Sequence, residues 1–175
     1  MLYQIIYADP PFAYRHCASN SRRIENQYNT MPLANIKALN IPSADNSVLY
    51  LWAMPPKLEE ALEVLRAWGF DYRTHGVWDK EIIGMGYWFR QQHEDLLVGV
   101  KGKFSPPDPT MRVSSVIKSR RQGHSVKPQV VMDLIDQWYP TATKLEVFAR
   151  RKRMGWDCWG NEVESDINLD NHYGE

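Results

Sequence analysis

Twice in this chain an apolar, strand-forming run is cut off by a pair of prolines. The first is Tyr3–Tyr14, reading YQIIYADPPFAY; the second is Ser47–Pro56, reading SVLYLWAMPP. Successive prolines donate no backbone hydrogen bond and hold φ near about −65°, so a strand that runs into them stops. The residues ahead of each break are the β-branched and aromatic types that strands favour. Behind the first strand stands a stiff, extended turn carrying the Asp9 carboxylate, backbone carbonyls and the ring of Phe12. In open α/β sheets ligands bind outside the carboxyl ends of the strands, so this turn is the first place to look for a site.

The remaining chain alternates strands and helices. Thr30 is the expected N-cap of a short helix reaching Leu39, with Pro32 in its first turn. Lys57–Trp68 places Leu58, Ala61, Leu62, Leu65 and Trp68 on one helical face and is closed by Gly69. Phe70–Trp78 and Asp95–Val100 read as strands, and Lys144–Phe148 (KLEVF) as the last one. A further helix runs from Pro128 through Tyr139 on a stripe of Val130, Val131, Leu134, Ile135 and Trp138. Residues 13–30 read as a long loop, and 101–126, with three prolines and many basic side chains, as a mobile surface loop. The glycine-rich, aromatic stretch within 81–93 suits no regular element; its Tyr87-Trp88-Phe89 is either packed in the core or a dimer surface.

This order implies an α/β fold, a mostly parallel sheet with helices on both faces. No strand is followed by GxGxxG, so the usual dinucleotide fingerprint is absent. The 175 residues suit one domain, residues 1–163, ahead of an acidic tail at 164–175 that is expected to fray. No membrane span or signal peptide is read, and the two cysteines, Cys17 and Cys158, form no CxxC, so neither a disulfide nor a metal site is expected. An intracellular location fits.

The formal net charge of zero conceals an asymmetry. Five carboxylates and no Lys or Arg lie from Glu162 onward, which leaves about +5 on residues 1–161. The cations cluster: Arg15, Arg22 and Arg23 in one loop, Lys118, Arg120 and Arg121 in another, then Arg150 to Arg153. Any one cluster is equally a solvated face, but several on loops suit a polyanion.

The DPPF turn carries the sharpest chemistry. An exocyclic amine such as that of adenine is a poor nucleophile because its lone pair is delocalised into the ring. A carboxylate and a carbonyl accepting its two N–H bonds favour the pyramidal nitrogen and free that pair. Asp9 and the Pro10 carbonyl are suited to that task, Pro10 and Pro11 fix the carbonyl direction, and Phe12 offers a ring to stack on the base. Taken alone, the same residues read as well as a proline-rich turn with a capping Asp.

Over nearly its whole length the chain resembles the MT-A70 family, the S-adenosylmethionine-dependent adenine N6-methyltransferases, and most of all its short bacterial and phage members. The segments that carry the resemblance are IIYADPPF, LYLWAMPPKLEEALEVLRAWGF, GMGYWFRQQHEDLLVGVKG, HSVKP, KLEVFAR and GWDCWGNE. Their order is similar to that of circularly permuted amino-methyltransferases, with the catalytic turn first and the methionine-binding strand last. The resemblance implies a Rossmann-like methyltransferase fold, and Asp9 touching both the substrate amine and the cofactor's methionine amino group. It further implies Lys127 on the cofactor carboxylate, Arg150 on the ribose or carboxylate, and Asn161 with Glu162 on the ribose hydroxyls. Phe148 is either core or pocket lining; Trp156 and Trp159 are packing residues.

The expected activity is methylation of adenine N6 in DNA, in a prokaryotic or phage-infected cell, with the same reaction on RNA as the alternative. A catalytically silent, nucleic-acid-binding partner of an active homologue is the rival reading. Arg15, Arg22, Arg23, Lys118, Arg120 and Arg121 are the candidates for gripping phosphates, and a homodimer is a further possibility. Two departures from the family pattern stand out: Phe12 replaces the usual tryptophan, and with eight residues ahead of Asp9 the contact to the cofactor adenine is expected to come from elsewhere.

Overall fold

The structure, a computed structural model, describes residues 1–13, 30–121 and 126–169. Ten elements follow in order: β1 (Tyr3–Ala8), α1 (Leu33–Lys37), β2 (Ser43–Ala53), α2 (Leu58–Ala67), β3 (Asp71–Asp79), β4 (His93–Lys101), β5 (Val116–Lys118), α3 (Gln129–Trp138), β6 (Lys144–Val147) and β7 (Asp157–Trp159). The strands form one sheet in the order β5-β3-β4-β2-β1-β6-β7. It is mostly parallel: β4 runs against both its neighbours, and the other pairs are parallel.

Side-chain alternation divides the core into two layers. Ile6 and Ala8 of β1, Leu49, Leu51 and Ala53 of β2, and Leu145 and Val147 of β6 face α1 and α2. Ile5, Tyr7, Val48, Tyr50 and Trp52 face the other way, against Val131, Met132 and Ile135 of α3. Helices therefore cover both faces, as expected, and β1 and β2 are buried on both sides, which is why they read as continuous apolar runs. Both Pro-Pro breaks fall at the strand ends: β1 stops before Asp9, and β2 before a 3₁₀ turn at Pro55–Lys57 that leads into α2. Gly69, at φ 83°, closes that helix.

Several boundaries differ from the expectation, each for a tertiary reason. Thr30 is not an N-cap; α1 begins after Pro32. Met31 donates its N–H to the Pro11 carbonyl at 2.9 Å and pairs with Phe12 as an isolated bridge, so the chain is held extended there. Proline at 32 also disfavours a helical Met31. Residues 101–126 are not a free loop across their described part. They supply β5, which pairs with β3, and they are tied to α3 by Trp138 Nε1 donating to the Met111 carbonyl (2.9 Å) and Tyr139 Oη donating to that of Ser105 (3.0 Å). Lys144–Phe148 is not the last strand, because β7 pairs beside it.

The described part of the acidic tail, residues 164–169, makes contacts with the domain. Asp166 accepts from Lys152 Nζ at 2.7 Å and from the Cys158 N–H at 3.1 Å, and Leu169 is buried in the α2-side core. Core packing of Tyr87-Trp88-Phe89 is excluded, since all three rings stand in solvent. Among the described residues, no helix is long and apolar enough to cross a membrane.

Candidate active site

The parallel strands β1 and β6 end side by side, Ala8 level with Val147. Alternation then decides which side chains reach the α3 side of that rim: Tyr7 and Asp9 from β1 and its turn, and Glu146 from β6. The residues leading into α3 bring Lys127 over the same edge. Together Tyr7, Asp9, Lys127, Glu146, Phe148 and Arg150 line a recess of about 150 Å³. A second recess of about 360 Å³ continues from Lys127 past Trp78, Ser119 and Arg120. A larger cavity of about 610 Å³, walled by apolar side chains such as Val48, Leu96, Val98 and Trp138, lies elsewhere on the α3 face and includes none of the rim residues.

Charge in the rim is organised around one cation. Lys127 Nζ lies 2.9 Å from Asp9 Oδ1 and 3.0 Å from Glu94 Oε2, and Lys80 approaches the other Glu94 oxygen at 3.4 Å. The Lys127–Glu94 contact is ionic without the alignment of a hydrogen bond. Beneath it, the Trp52 ring centroid is 5.6 Å from the ammonium, and Trp52 Nε1 donates to Tyr7 Oη at 2.6 Å. Trp52, Trp78 and Trp156 meet Tyr7 or one another edge to face, giving the site a rigid aromatic floor.

Burial sets the titration of these groups. Asp9 is raised above the ordinary carboxylate range by desolvation, with Lys127 opposing and Glu94 adding to the shift. For Lys127, burial works against the ammonium, but the two carboxylates outweigh it and hold its pKa above the usual value. Glu146 is pushed up to about 7 by desolvation and by the Asp9 charge, with Arg151 and Arg153 opposing. That places a carboxyl group in mid-titration at neutral pH beside Asp9. Reasoning from the sequence did not single out Glu146; an acidic residue set between the apolar Leu145 and Val147 of the KLEVF strand was the available signal.

Asp9, Lys127, Phe148 and Arg150 all line this one recess. Phe148 does both jobs left open for it: it lines the recess and packs on the α2-side core, edge to face with Trp159 at 5.4 Å. Its φ of 66° is uncommon for a side chain of this size and turns the chain sharply off β6 toward Arg150. Arg150 Nε lies 3.6 Å from Glu162 Oε1, which joins the turn after β7 to the recess. Asn161 is exposed on that turn, outside the recess. Gly160 permits the approach: a Cβ there would stand 2.0 Å from the Ala149 carbonyl oxygen.

Phe12 departs from the expectation of a stacking face. Its N–H donates to the Pro10 carbonyl at 2.9 Å, a tight turn that folds the ring inward until it is 6% exposed among the α1 and α2 side chains. The same bond fixes the direction of the Pro10 carbonyl, while Pro10 itself is buried and lies outside the lining of the recess. Of the basic candidates, Lys118, Arg120 and Arg121 are exposed, and Arg120 lines the second recess. Arg15, Arg22 and Arg23 lie outside the described residues. Of the other cations near the rim, Arg153 binds Asp133 and Asp136 of α3 at 2.7 Å, Lys152 binds Asp166, and Arg151, which lines both recesses, donates to the Gln129 amide oxygen.

A family model described as MT-A70 matches residues 3–162. The type II methyltransferase M.MunI of a Mycoplasma species is 34% identical over 181 residues, covering 92% of this chain and 78% of that protein. An N(6)-adenosine-methyltransferase MT-A70-like protein of Arabidopsis thaliana is 29% identical, over 91% of this chain and 23% of its own length. The human N(6)-adenosine-methyltransferase catalytic subunit METTL3 is 28% identical, over 96% of this chain and 29% of its own length. The chain thus spans most of the bacterial relative and about a quarter of these two eukaryotic ones.

Proposed function

This chain belongs to the MT-A70 family, and we propose that it transfers a methyl group from S-adenosylmethionine to the N6 amine of adenine in DNA. The observation that carries the reading is the Asp9–Lys127 pair at 2.9 Å, on the rim where β1 and β6 end. A zwitterionic amino-acid moiety needs an anion for its ammonium and a cation for its carboxylate. Asp9 and Glu146 offer the first and Lys127 and Arg150 the second, around one recess, so the donor set fits that cofactor. Glu162, tied to Arg150, and Asn161 beside it suit the ribose hydroxyls. When bound, the cofactor supplies a methyl group on a sulfonium.

The chain's own residues then act on the amine. Asp9 and the fixed Pro10 carbonyl accept its two N–H bonds, which favours the pyramidal nitrogen and exposes the lone pair. Burial makes Asp9 a stronger proton acceptor than an ordinary Asp, so it can take the proton the nitrogen sheds after methylation. Lys127 and the aromatic floor beneath it hold the Asp9 carboxylate in place, and most of the acceleration comes from that positioning. In a duplex the target base has to leave the stack to reach the rim. We also read the motif order, with the catalytic turn first and the methionine-binding strand last, as that of a circularly permuted methyltransferase.

DNA is supported over RNA by the compact plan this chain shares with a type II methyltransferase, matched over most of both chains. The test is methyl transfer from labelled S-adenosylmethionine to unmethylated DNA and, separately, RNA, with digestion to nucleosides. N6-methyladenine formed by the wild type and lost in Asp9→Ala is the expected result. Label in RNA alone reassigns the polymer. Absence of both transfer and cofactor binding favours a silent partner subunit.

A further inference from the structure

Residues 80–92 leave the end of β3 and return to β4 as a loop closed by Lys80 N–H to the Gln92 carbonyl and Gly84 N–H to the Gln91 carbonyl, each 2.9 Å. At its tip Tyr87, Trp88 and Phe89 are 97%, 95% and 81% exposed, with Met85 and Ile83 also in solvent. Exposed aromatic rings in sequence, without support from the core, mark an interaction surface.

Register locates this surface. Ala8 is level with Leu51, Leu97 and His75 across the sheet, and β3 continues from His75 to Asp79 in the direction of Asp9. The loop therefore springs from the same end of the sheet as the candidate catalytic turn. It stands about 14 Å to the side and about 13 Å further out by strand spacing and rise. The route between the two is basic. Arg121 donates its N–H to the Lys80 carbonyl and Ser119 to that of Asp79, both at 3.2 Å, which fastens Lys118–Arg121 to the base of the loop. Arg120 lines the recess that reaches Lys127. Residues 80–92 and 118–121 together carry Lys80, Arg90, Lys118, Arg120 and Arg121 against the single carboxylate of Glu81.

We propose that this loop is a nucleic-acid contact: its rings stack on bases beside the target adenine while Arg90, Lys118, Arg120 and Arg121 hold the flanking phosphates. The inference rests on the functional reading above and adds to it the place where the polymer is gripped. Rings for base faces with cations for the backbone is the combination a strand of unstacked nucleotides requires. A second copy of this chain fits less well. A two-fold contact through this loop would put the same cation-rich patch on both sides of one interface, whereas interface centres are depleted of charge.

The test pairs binding with assembly. A fluorescently labelled adenine-containing oligonucleotide, single-stranded or duplex, is titrated with wild type, Trp88→Ala and the double variant Tyr87→Ala/Trp88→Ala. Cofactor affinity, melting temperature and mass by light scattering are measured on each protein. We expect the double substitution to weaken oligonucleotide binding roughly tenfold to hundredfold and to leave the other three quantities unchanged. Bound oligonucleotide should also quench wild-type tryptophan emission, and Trp88→Ala should remove that quenching. Unchanged affinity, in a protein whose wild type binds and methylates the polymer, overturns this inference alone. A wild-type dimer that the substitutions dissociate assigns the loop to a second copy and overturns it as well. A wild type that neither binds nor methylates DNA or RNA overturns both this inference and the functional reading.

Discussion

Lys127 Nζ sits 2.9 Å from Asp9 Oδ1, and the same ammonium is 3.0 Å from Glu94. One cation thus separates two carboxylates that would otherwise face each other across a desolvated rim. Lys127→Met removes it, and breaking such a pair by deleting one partner is costly. We expect a stability loss of about 2–4 kcal/mol at pH 8. The loss should shrink at pH 5, where a carboxyl with a further raised pKa binds a proton in the folded state and relieves the repulsion. Denaturant unfolding at the two pH values measures it, and an equal loss at both would contradict this account of the rim.

Glu146 gives a second pH signature. Its pKa in the fold is pushed up to about 7 from 4.5, so between those values the folded state holds more protons than the unfolded one. Stability from this group is therefore greatest below about pH 4.5 and declines as pH rises through about 7. Glu146→Gln should be more stable than wild type at pH 8, by about 1–3 kcal/mol, with the advantage gone near pH 4. Thermal melts across that range check it. If Glu146 meets the cofactor's ammonium, wild-type affinity for S-adenosylmethionine should also rise through pH 7, and Glu146→Gln should flatten that rise.

Beneath the rim, Tyr7 Oη accepts the Trp52 indole N–H at 2.6 Å in a fully buried setting. Tyr7→Phe keeps the ring and deletes the acceptor, leaving a buried donor unpaired. A loss of about 1–3 kcal/mol is expected, read as a lower denaturant midpoint at unchanged m-value. A neutral result would mean that the indole finds another acceptor.

Gly160 tests the link between β7 and the recess. A methyl group there would stand 2.0 Å from the Ala149 carbonyl oxygen, backbone that cannot swing aside. Gly160→Ala should push the Asn161–Glu162 turn away from Arg150, lowering stability by about 1–3 kcal/mol and cofactor affinity by more than tenfold. Calorimetric titration with S-adenosylmethionine is the direct measurement, and wild-type affinity would remove this turn from the cofactor site.

Most of the architecture was written locally. The two Pro-Pro breaks, the doubly apolar runs of β1 and β2 and the helical stripes of α2 and α3 each depend on residues close in sequence. Backbone dihedrals and 2.0 or 3.6 periodicity therefore suffice to read them. Asp9 was legible as a candidate because it stands just beyond a strand, at the rim where such sheets bind ligands, whereas Lys127 and Arg150 were reached through the family resemblance.

What required the tertiary structure was everything decided by a distant partner. Phe12 turns inward because the turn closes on Pro10 and bridges to Met31. β5 and β7 exist because β3 and β6 offer edges to short segments with no periodicity of their own. Glu146 and Glu94 matter because folding desolvates them beside Asp9 and Lys127. The sequence by itself determined the elements and the end of the sheet where chemistry could occur. Only the tertiary structure decided which carboxylates share that rim and which cations they meet there, since pairing and desolvation are set by neighbours far away along the chain.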